Sequence, residues 1–409
     1  MMKNMQPRLA MVVVVAVVAG LGVVARQAAG VNVTLSNVAP RTDVTGAVMD
    51  AHDGALFQHT DGLYYWFAAS YGNCTEPAGP TGCADMAPGS CGFQFNHNVS
   101  LWTSPDLTTW TPAGPVFQML RDFNGAAGRG VLFCPKVLYN AGTATWVLWF
   151  NWIDTTVGWT ASYYAVATAP AAVGPWTVVS RAVTSLAYND TGDFNLMADA
   201  SGAAYIIYTA HISGWPVTHQ MSVEALTADY TATTGAAASS GFFGAPGVEA
   251  PALFRAGAVY YAVFGACCCY CASGSPVVVY TAANPLGPYA TRNNIGAPGG
   301  GNACGGGSSG SGRASRLLAA LRSTPGAPAA ACALRAAQAA AIPAQQTHIV
   351  TYTNGVGVPS YLWIGDRWQS SPNGMKSEDF TYWSPLAFDA TGNLTAMVWT
   401  DTFTLSVGT

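Results

Sequence analysis

The sequence predicts an all-β fold, a five-bladed β-propeller, on three observations. Charged residues make up only 9% of the 409-residue chain while Gly, Pro and the aromatics are plentiful, which suits many short strands joined by turns better than long exposed helices. A β-hairpin phrase recurs five times. A second phrase, an outer strand followed by a Ser/Ala/Pro turn and an aromatic, follows most of the hairpins, giving units of roughly sixty residues and about four strands, the size of a propeller blade.

The first hairpin runs from Ala55 to Phe67 around Asp61-Gly62, and the second from Val137 to Phe150 around Asn140-Ala141-Gly142. The third begins near Leu196, the fourth near Ala252 and the fifth near Ile349, where Asn354-Gly355 marks the turn. In each, β-branched and aromatic residues flank a turn residue, the pattern of two paired strands. The outer strands read as Leu101 to Trp110, Val166 to Pro170 with Gly174-Pro175-Trp176, and Val279 to Tyr289. Four hairpins can stack as a sandwich, but five similar units in tandem favour radial closure. One interval breaks the rhythm. Residues 299–341 are Gly/Ser-rich and then Ala/Leu/Arg-rich, and removing them restores the spacing, so they are expected to be a low-complexity insertion, a disordered loop with a short helix at 315–322 or an artefact of the gene model.

Residues 1–30 read as a secretory signal peptide, with Lys3 and Arg8 ahead of the apolar run Ala10 to Ala25, or as an uncleaved signal anchor; residues 31–409 are then the propeller. The expected location is extracellular. N-x-S/T sequons at Asn32, Asn73, Asn98, Asn189 and Asn393 fit a secreted glycoprotein. With a cleaved signal no stable membrane insertion is expected, since no second stretch is long enough to span a bilayer. A net charge of −4 without a basic stripe excludes nucleic acid as a partner. A secretory route lets the ten cysteines oxidise, with pairing among Cys74, Cys83 and Cys91 expected to staple one long loop. The run Cys267-Cys268-Cys269-Tyr270-Cys271 lacks a His or CxxC partner at zinc-finger spacing, so no metal site is expected there.

Innermost propeller strands surround the axis, so polar residues at their starts converge on one mouth. Three carboxylates occupy comparable places in three units: Asp53 in Ala51-His52-Asp53-Gly54, Asp193 in Asp193-Phe194-Asn195, and Glu249 in Val248-Glu249-Ala250-Pro251. Glycosidic hydrolysis needs one protonated and one ionised carboxyl group, and a third carboxylate can tune the acid by like-charge repulsion. Singly, each has an ordinary reading as well: a turn cap for Asp53, an Asx turn for Asp193, an ion pair for Glu249. Stacking platforms for sugar are sought among Tyr65, Trp66, Trp152, Trp368 and Trp383. Arg367 is a candidate hydrogen-bond donor to a sugar hydroxyl, or an ion-pair partner of Asp366 or Asp379. His52 and His348 are candidates to line the centre or help hold a calcium ion, or to serve structure alone.

These motifs, together with Pro135-Lys136-Val137-Leu138-Tyr139-Asn140 and Ile364-Gly365-Asp366-Arg367-Trp368, resemble glycoside hydrolase family 43, in particular its exo-β-1,3-galactanase-like branch, from about residue 45 onward apart from the insertion. The resemblance implies a five-bladed propeller and an inverting glycosidase. It makes Asp53 the general base, Asp193 the aspartate that modulates pKa and Glu249 the general acid, with the two working carboxylates roughly 6.5–9.5 Å apart. It implies no obligate cofactor, calcium occurring in some members. The expected sugar contacts are then His52, Trp66, Asn195, Gln345 and Arg367, of which Gln345 comes from the resemblance: in that branch the base position is often Gly and a fifth-blade glutamine, matched by Gln345, is proposed to assist. The chain departs from the branch at Phe133-Cys134-Pro135-Lys136, where Glu-Arg-Pro-Lys is typical, so a substrate-binding carboxylate is missing. The expected partner is a polysaccharide or glycan, with β-1,3-galactan one substrate class. Two other functions are weighed: a carbohydrate-binding propeller without catalysis, and an extracellular interaction scaffold.

Overall fold

The computed structural model describes residues 30–75, 91–95, 97–125, 129–155, 162–188, 191–211, 219–245, 247–266, 270, 272–296 and 342–408. The signal segment, the sequon at Asn189, Cys83, the cysteines at 267, 268, 269 and 271, and the insertion at 299–341 lie outside them. Strand β1 (Val31–Ser36) precedes five consecutive antiparallel sheets. The first is β2 (His52–Gln58), β3 (Tyr64–Ser70), β4 (Asn98–Ser104) and β5 (Thr111–Gln118), and the second is β6 (Gly130–Asn140), β7 (Thr145–Asp154), β8 (Ser162–Ala169) and β9 (Thr177–Ser180). The third is β10 (Thr191–Ala198), β11 (Ala204–His211) and β12 (His219–Ala225), extended by isolated bridges such as Met221 to Phe243. The fourth is β13 (Val248–Ala256), β14 (Val259–Ala266), β15 (Val277–Ala282) and β16 (Ala290–Asn294), and the fifth is β17 (Gln345–Thr353), β18 (Pro359–Arg367) and β19 (Phe380–Leu386). Strand β20 (Thr402–Val407) returns to pair with β1. The five blades are those the hairpin repeat predicts.

The blades form a ring because side chains alternate along every second strand. In blade 2, Trp146, Leu148 and Phe150 enter the core shared with blade 1, while Val147 and Trp149 enter the core shared with blade 3. In blade 3, Ile206 and Tyr208 face blade 2 while Ile207 faces blade 4. In blade 4, Tyr260, Ala262 and Phe264 face blade 3 while Tyr261 and Val263 face blade 5. Tyr361 and Trp363 of blade 5 complete that core, and Leu362 and Ile364 join Tyr64, Trp66 and Ala68 of blade 1. There are thus five cores, one at each seam. A strand apolar on both faces belongs between two neighbours, which explains the continuous apolar runs in the sequence.

The seam between blades 5 and 1 joins sequence-distant elements, and the paired chain ends cover it. Val33 and Leu35 of β1 and Leu405 and Val407 of β20 are buried in its core. Asn37, fully buried, donates from Nδ2 to the carbonyls of Trp383 and Thr400, each at 3.0 Å, and accepts from the Trp383 amide at 2.9 Å. Asn37→Ala removes one partner from each of these buried bonds, which costs about 2–4 kcal/mol. Chemical denaturation should show a lower midpoint with an unchanged slope, whereas an unchanged midpoint would show that the clamp contributes nothing.

Candidate active site

In every blade the innermost strand carries a register shift near its start. The shifts fall between His52 and Ala55, Phe133 and Lys136, Thr191 and Phe194, Glu249 and Ala252, and Gln346 and His348. A bulge re-aims the side chains beside it and sharpens the local twist. Three residues at these shifts take left-handed backbone: Asp53 with φ 50°, Cys134 with φ 48° and Ala250 with φ 54°. Non-glycine residues seldom adopt this conformation, so surrounding bonds must hold it. Gly54 is required beside Asp53, because a Cβ there would lie 2.1 Å from the Phe67 carbonyl oxygen.

The bonds that hold Asp53 come from two other blades. Its amide donates to Asp366 Oδ2 at 2.8 Å, and its Oδ2 accepts from the Cys134 amide at 2.9 Å. The buried Lys136 ammonium donates to the carbonyls of Asp53 at 3.0 Å, Gly54 at 2.8 Å and Thr347 at 3.3 Å, and stands 3.9 Å from Asp53 Oδ1. A buried cation thus ties the innermost strands of blades 1, 2 and 5 together at the axis.

Asp53, Asp193 and Glu249 line one cavity of about 260 Å³ at the mouth of the axis. Burial raises the Asp53 pKa to about 6, Lys136 opposing the shift and the Asp193 charge adding to it. The Cys134 thiol is pushed well above its ordinary value by burial and by Asp193 and Asp53; it stays protonated and donates to Asp193 Oδ1 at 3.3 Å. Glu249 is 8% exposed, and Gln345 Nε2 donates to its Oε1 at 3.4 Å. The Trp368 indole N–H donates to Gln345 Oε1 at 2.7 Å, which fixes the amide with its NH2 toward the glutamate. Two carboxyl groups with different neighbours on one small cavity are what acid and base work on a glycoside requires.

Of the five expected sugar contacts, only Gln345 lines this cavity. His52 is 1% exposed, lying behind the wall between the Tyr71 and Trp368 rings, with Nδ1 3.4 Å from Asp366 Oδ1. Burial opposes its charged form, but Asp366 and Asp50 outweigh that and raise its pKa. It supports the aspartate that pins Asp53. Trp66 is sealed in the seam core against Trp110 and Trp383, so the hairpin strand buries it as blade packing. Asn195, 2% exposed, uses Nδ2 on the Thr347 carbonyl and Oδ1 on the Leu196 amide and His348, facing a cavity of about 600 Å³ at the opposite end of the channel. Arg367 donates to the Asn37 carbonyl at 2.8 Å and lies over the Trp399 ring, and the Asp379 charge acts on it against the lowering of its pKa by burial.

Among the platform candidates, Trp368 lines the cavity, while Trp383 is buried in the seam and Trp152 donates to the Arg181 carbonyl. His348 sets Nδ1 3.1 Å from Asn195 Oδ1 and Nε2 3.0 Å from the Leu56 carbonyl, two acceptors of which a neutral ring can donate to only one, and burial and Lys136 lower its pKa to about 3. Among the described residues no group of three or more His, Cys, Asp and Glu side chains is placed to hold a metal. Cys74 pairs with Cys91, Cα atoms 5.3 Å apart. Phe93 and Thr209 line the cavity without having been signalled by any motif, Tyr270 lines it from within the cysteine run, and Asp366, part of the motif Ile364 to Trp368, was signalled in its own right only as a partner for Arg367.

Carboxylates of three blades meeting on one cavity at the mouth of a propeller are an arrangement that acid and base hydrolysis of a glycoside can use. Residues 50–297 match the profile of glycosyl hydrolases family 43, more than half of the chain, and the chain belongs to that family of glycosidases. Among solved structures it is similar to a family 43 β-1,3-galactosidase at 20% identity and TM-score 0.63, the match covering 91% of this chain and 63% of that one. It is similar also to an exo-β-1,3-galactanase of Clostridium thermocellum at 20% identity and TM-score 0.64, covering 92% and 67%. A third, the exo-β-1,3-galactanase of Phanerochaete chrysosporium with β-1,3-galactotriose, matches at 19% identity and TM-score 0.63, covering 92% and 69%. The chain thus spans a little under two thirds of the length of the first of these. No curated protein matches it in sequence.

The balance of charges on Asp53 is measurable. Asp193→Asn removes a charge that raises its pKa and should bring it below about 6, while Lys136→Met removes one that lowers it and should carry it above about 6. Carbon-detected NMR titration of the aspartate carboxyls reads both shifts; a pKa that Asp193→Asn leaves in place would contradict this balance.

Proposed function

We propose that this chain is a secreted, inverting glycosidase in which Asp53 activates the attacking water, Glu249 protonates the departing oxygen and Asp193 tunes the pair. The observation that carries this reading is the single small cavity lined by all three carboxylates, with Asp53 poised near neutrality. In the reaction the water oxygen bonds to the anomeric carbon, its proton passes to Asp53, the C–O bond to the leaving group breaks, and that oxygen takes the Glu249 proton. Gln345 holds the acid through its amide and is itself held by Trp368. Inversion needs room for a water between base and sugar, hence a separation of roughly 6.5–9.5 Å between the working carboxylates.

The substrate we propose is a β-linked polysaccharide or glycan of the galactan type, on the strength of the β-1,3-galactan-acting structures that share the fold. Secretion rests on the charged and apolar N-terminal segment and the sequons, with the Cys74–Cys91 disulfide in keeping with an oxidising route. The test is sugar release from a panel of β-galactans, arabinans and xylans by wild type and by Glu249→Gln. The expected result is turnover of at least one polymer, reduced about 10²–10⁴-fold in the variant. The acid limb of kcat/KM should fall near pH 6, because Asp53 acts as a base only when ionised. Binding without turnover in either protein would replace this reading with a carbohydrate-binding propeller.

A further inference from the structure

Cys134 is 2% exposed, takes part in no disulfide and lines the cavity of the three carboxylates. It lies in the bulge of the innermost strand of blade 2, where the pairing of β6 with β7 breaks after Phe133 and resumes at Lys136. The bulge frees its amide from the ladder. Its backbone is left-handed, with φ 48°, and a proline follows. Glycine is the residue that takes such a conformation without cost, and a following proline narrows the choice further. A side chain is therefore carried here against the preference of the backbone.

Both donors of this residue reach a carboxylate of a neighbouring blade. The amide donates to Asp53 Oδ2 of blade 1 at 2.9 Å, and the thiol donates to Asp193 Oδ1 of blade 3 at 3.3 Å while also bearing on Asp53. Burial and the two aspartates keep the thiol protonated, so it remains a donor wherever the carboxyl groups are ionised. The other charged and titratable groups that act on Asp53 and Cys134 are Lys136 of the same strand, Asp366 of β18 and the Tyr270 hydroxyl; Glu249 of β13 and His219 of β12 line the same cavity.

Cys134 also packs with Val147, Trp149 and Phe194 in the core between blades 2 and 3, the ordinary place of a cysteine that serves as a small apolar filler. Packing asks only for volume. A carboxylate at each donor asks for the donors themselves.

Resting on the hydrolase reading, we infer that Cys134 is a positioning residue of the reaction, which holds the base of blade 1 by its amide and the tuning aspartate of blade 3 by its thiol and so fixes the two relative to each other. A donor on a carboxylate favours the ionised form, the form in which Asp53 takes a proton from water. The thiol itself gives up no proton and forms no bond to the sugar.

The experiment compares wild type with Cys134→Ala, which keeps the amide and loses the thiol, and with Cys134→Ser, which keeps a donor in the same place. Carbon-detected NMR titration should find the Asp53 and Asp193 carboxyls ionising at higher pH in Cys134→Ala than in wild type, Asp53 above about 6, and Cys134→Ser should bring both back. On the acid side kcat/KM should fall about threefold or more in Cys134→Ala, its acid limb moving up while the alkaline limb stays, and Cys134→Ser should restore most of the loss. Should Cys134→Ala not fold, Cys134→Gly, which suits the left-handed backbone, carries the test with the same expected shifts. Carboxyls that titrate in the variant as in wild type overturn the inference, and so does a loss of activity that is equal at every pH and that serine does not restore, which is what a packing role would give. Carboxyls that move while kcat/KM keeps its pH profile overturn it as well. In each of these cases the hydrolase reading stands, whereas wild-type protein that turns over no glycoside overturns that reading and the inference with it.

Discussion

The bulge at the start of each innermost strand is the constraint on which the site depends. Regular strand alternation would send neighbouring side chains to opposite faces of a blade, into the two seams that already bury them. The extra residue at Asp53, at Cys134 and before Phe194 interrupts that alternation and leaves polar groups at the mouth of the axis. The cost is left-handed backbone at three non-glycine positions. Lys136, Asp366 and the Cys134 amide offset it by bonding groups that the bulge frees.

The same bonds set the electrostatics. A buried lysine that donates to three carbonyls stands close to Asp53 without forming a tight ion pair, at 3.9 Å from the carboxyl oxygen. Desolvation and Asp193 push the Asp53 pKa up while Lys136 and hydrogen bonding from Cys134 restrain it, which leaves it at about 6. Glu249 faces a different environment: it meets the amide of Gln345, which Trp368 orients. Two carboxyl groups on one cavity therefore have different neighbours, the condition for different protonation roles.

The blades were legible because hairpins are local: the turn at Asp61-Gly62 and the aromatic strand after it are adjacent in sequence and in space. The carboxylates were legible because they precede those strands at comparable places. The hairpin pattern does not distinguish an aromatic that faces a seam from one that faces the cleft, so Trp66 looked like Trp368. One is sealed by Trp110 and Trp383, and the other borders the cavity. Asp366 was hidden for another reason. It serves the Asp53 amide, 313 residues away in sequence, across a seam that exists only once the ring has closed. His52 and Asn195 flank the expected carboxylates in sequence, yet each points away from the cleft, His52 behind its wall and Asn195 into the channel below.

The central claim is that Asp53 acts through a water on the face opposite the leaving group. Proton NMR of a freshly started digest of the preferred substrate, read before mutarotation, tests it most directly. The account predicts that the first anomer to appear has the configuration opposite to that of the bond cleaved. A first product with the configuration of the original bond would mean retention through a covalent intermediate, and would contradict the role assigned to Asp53.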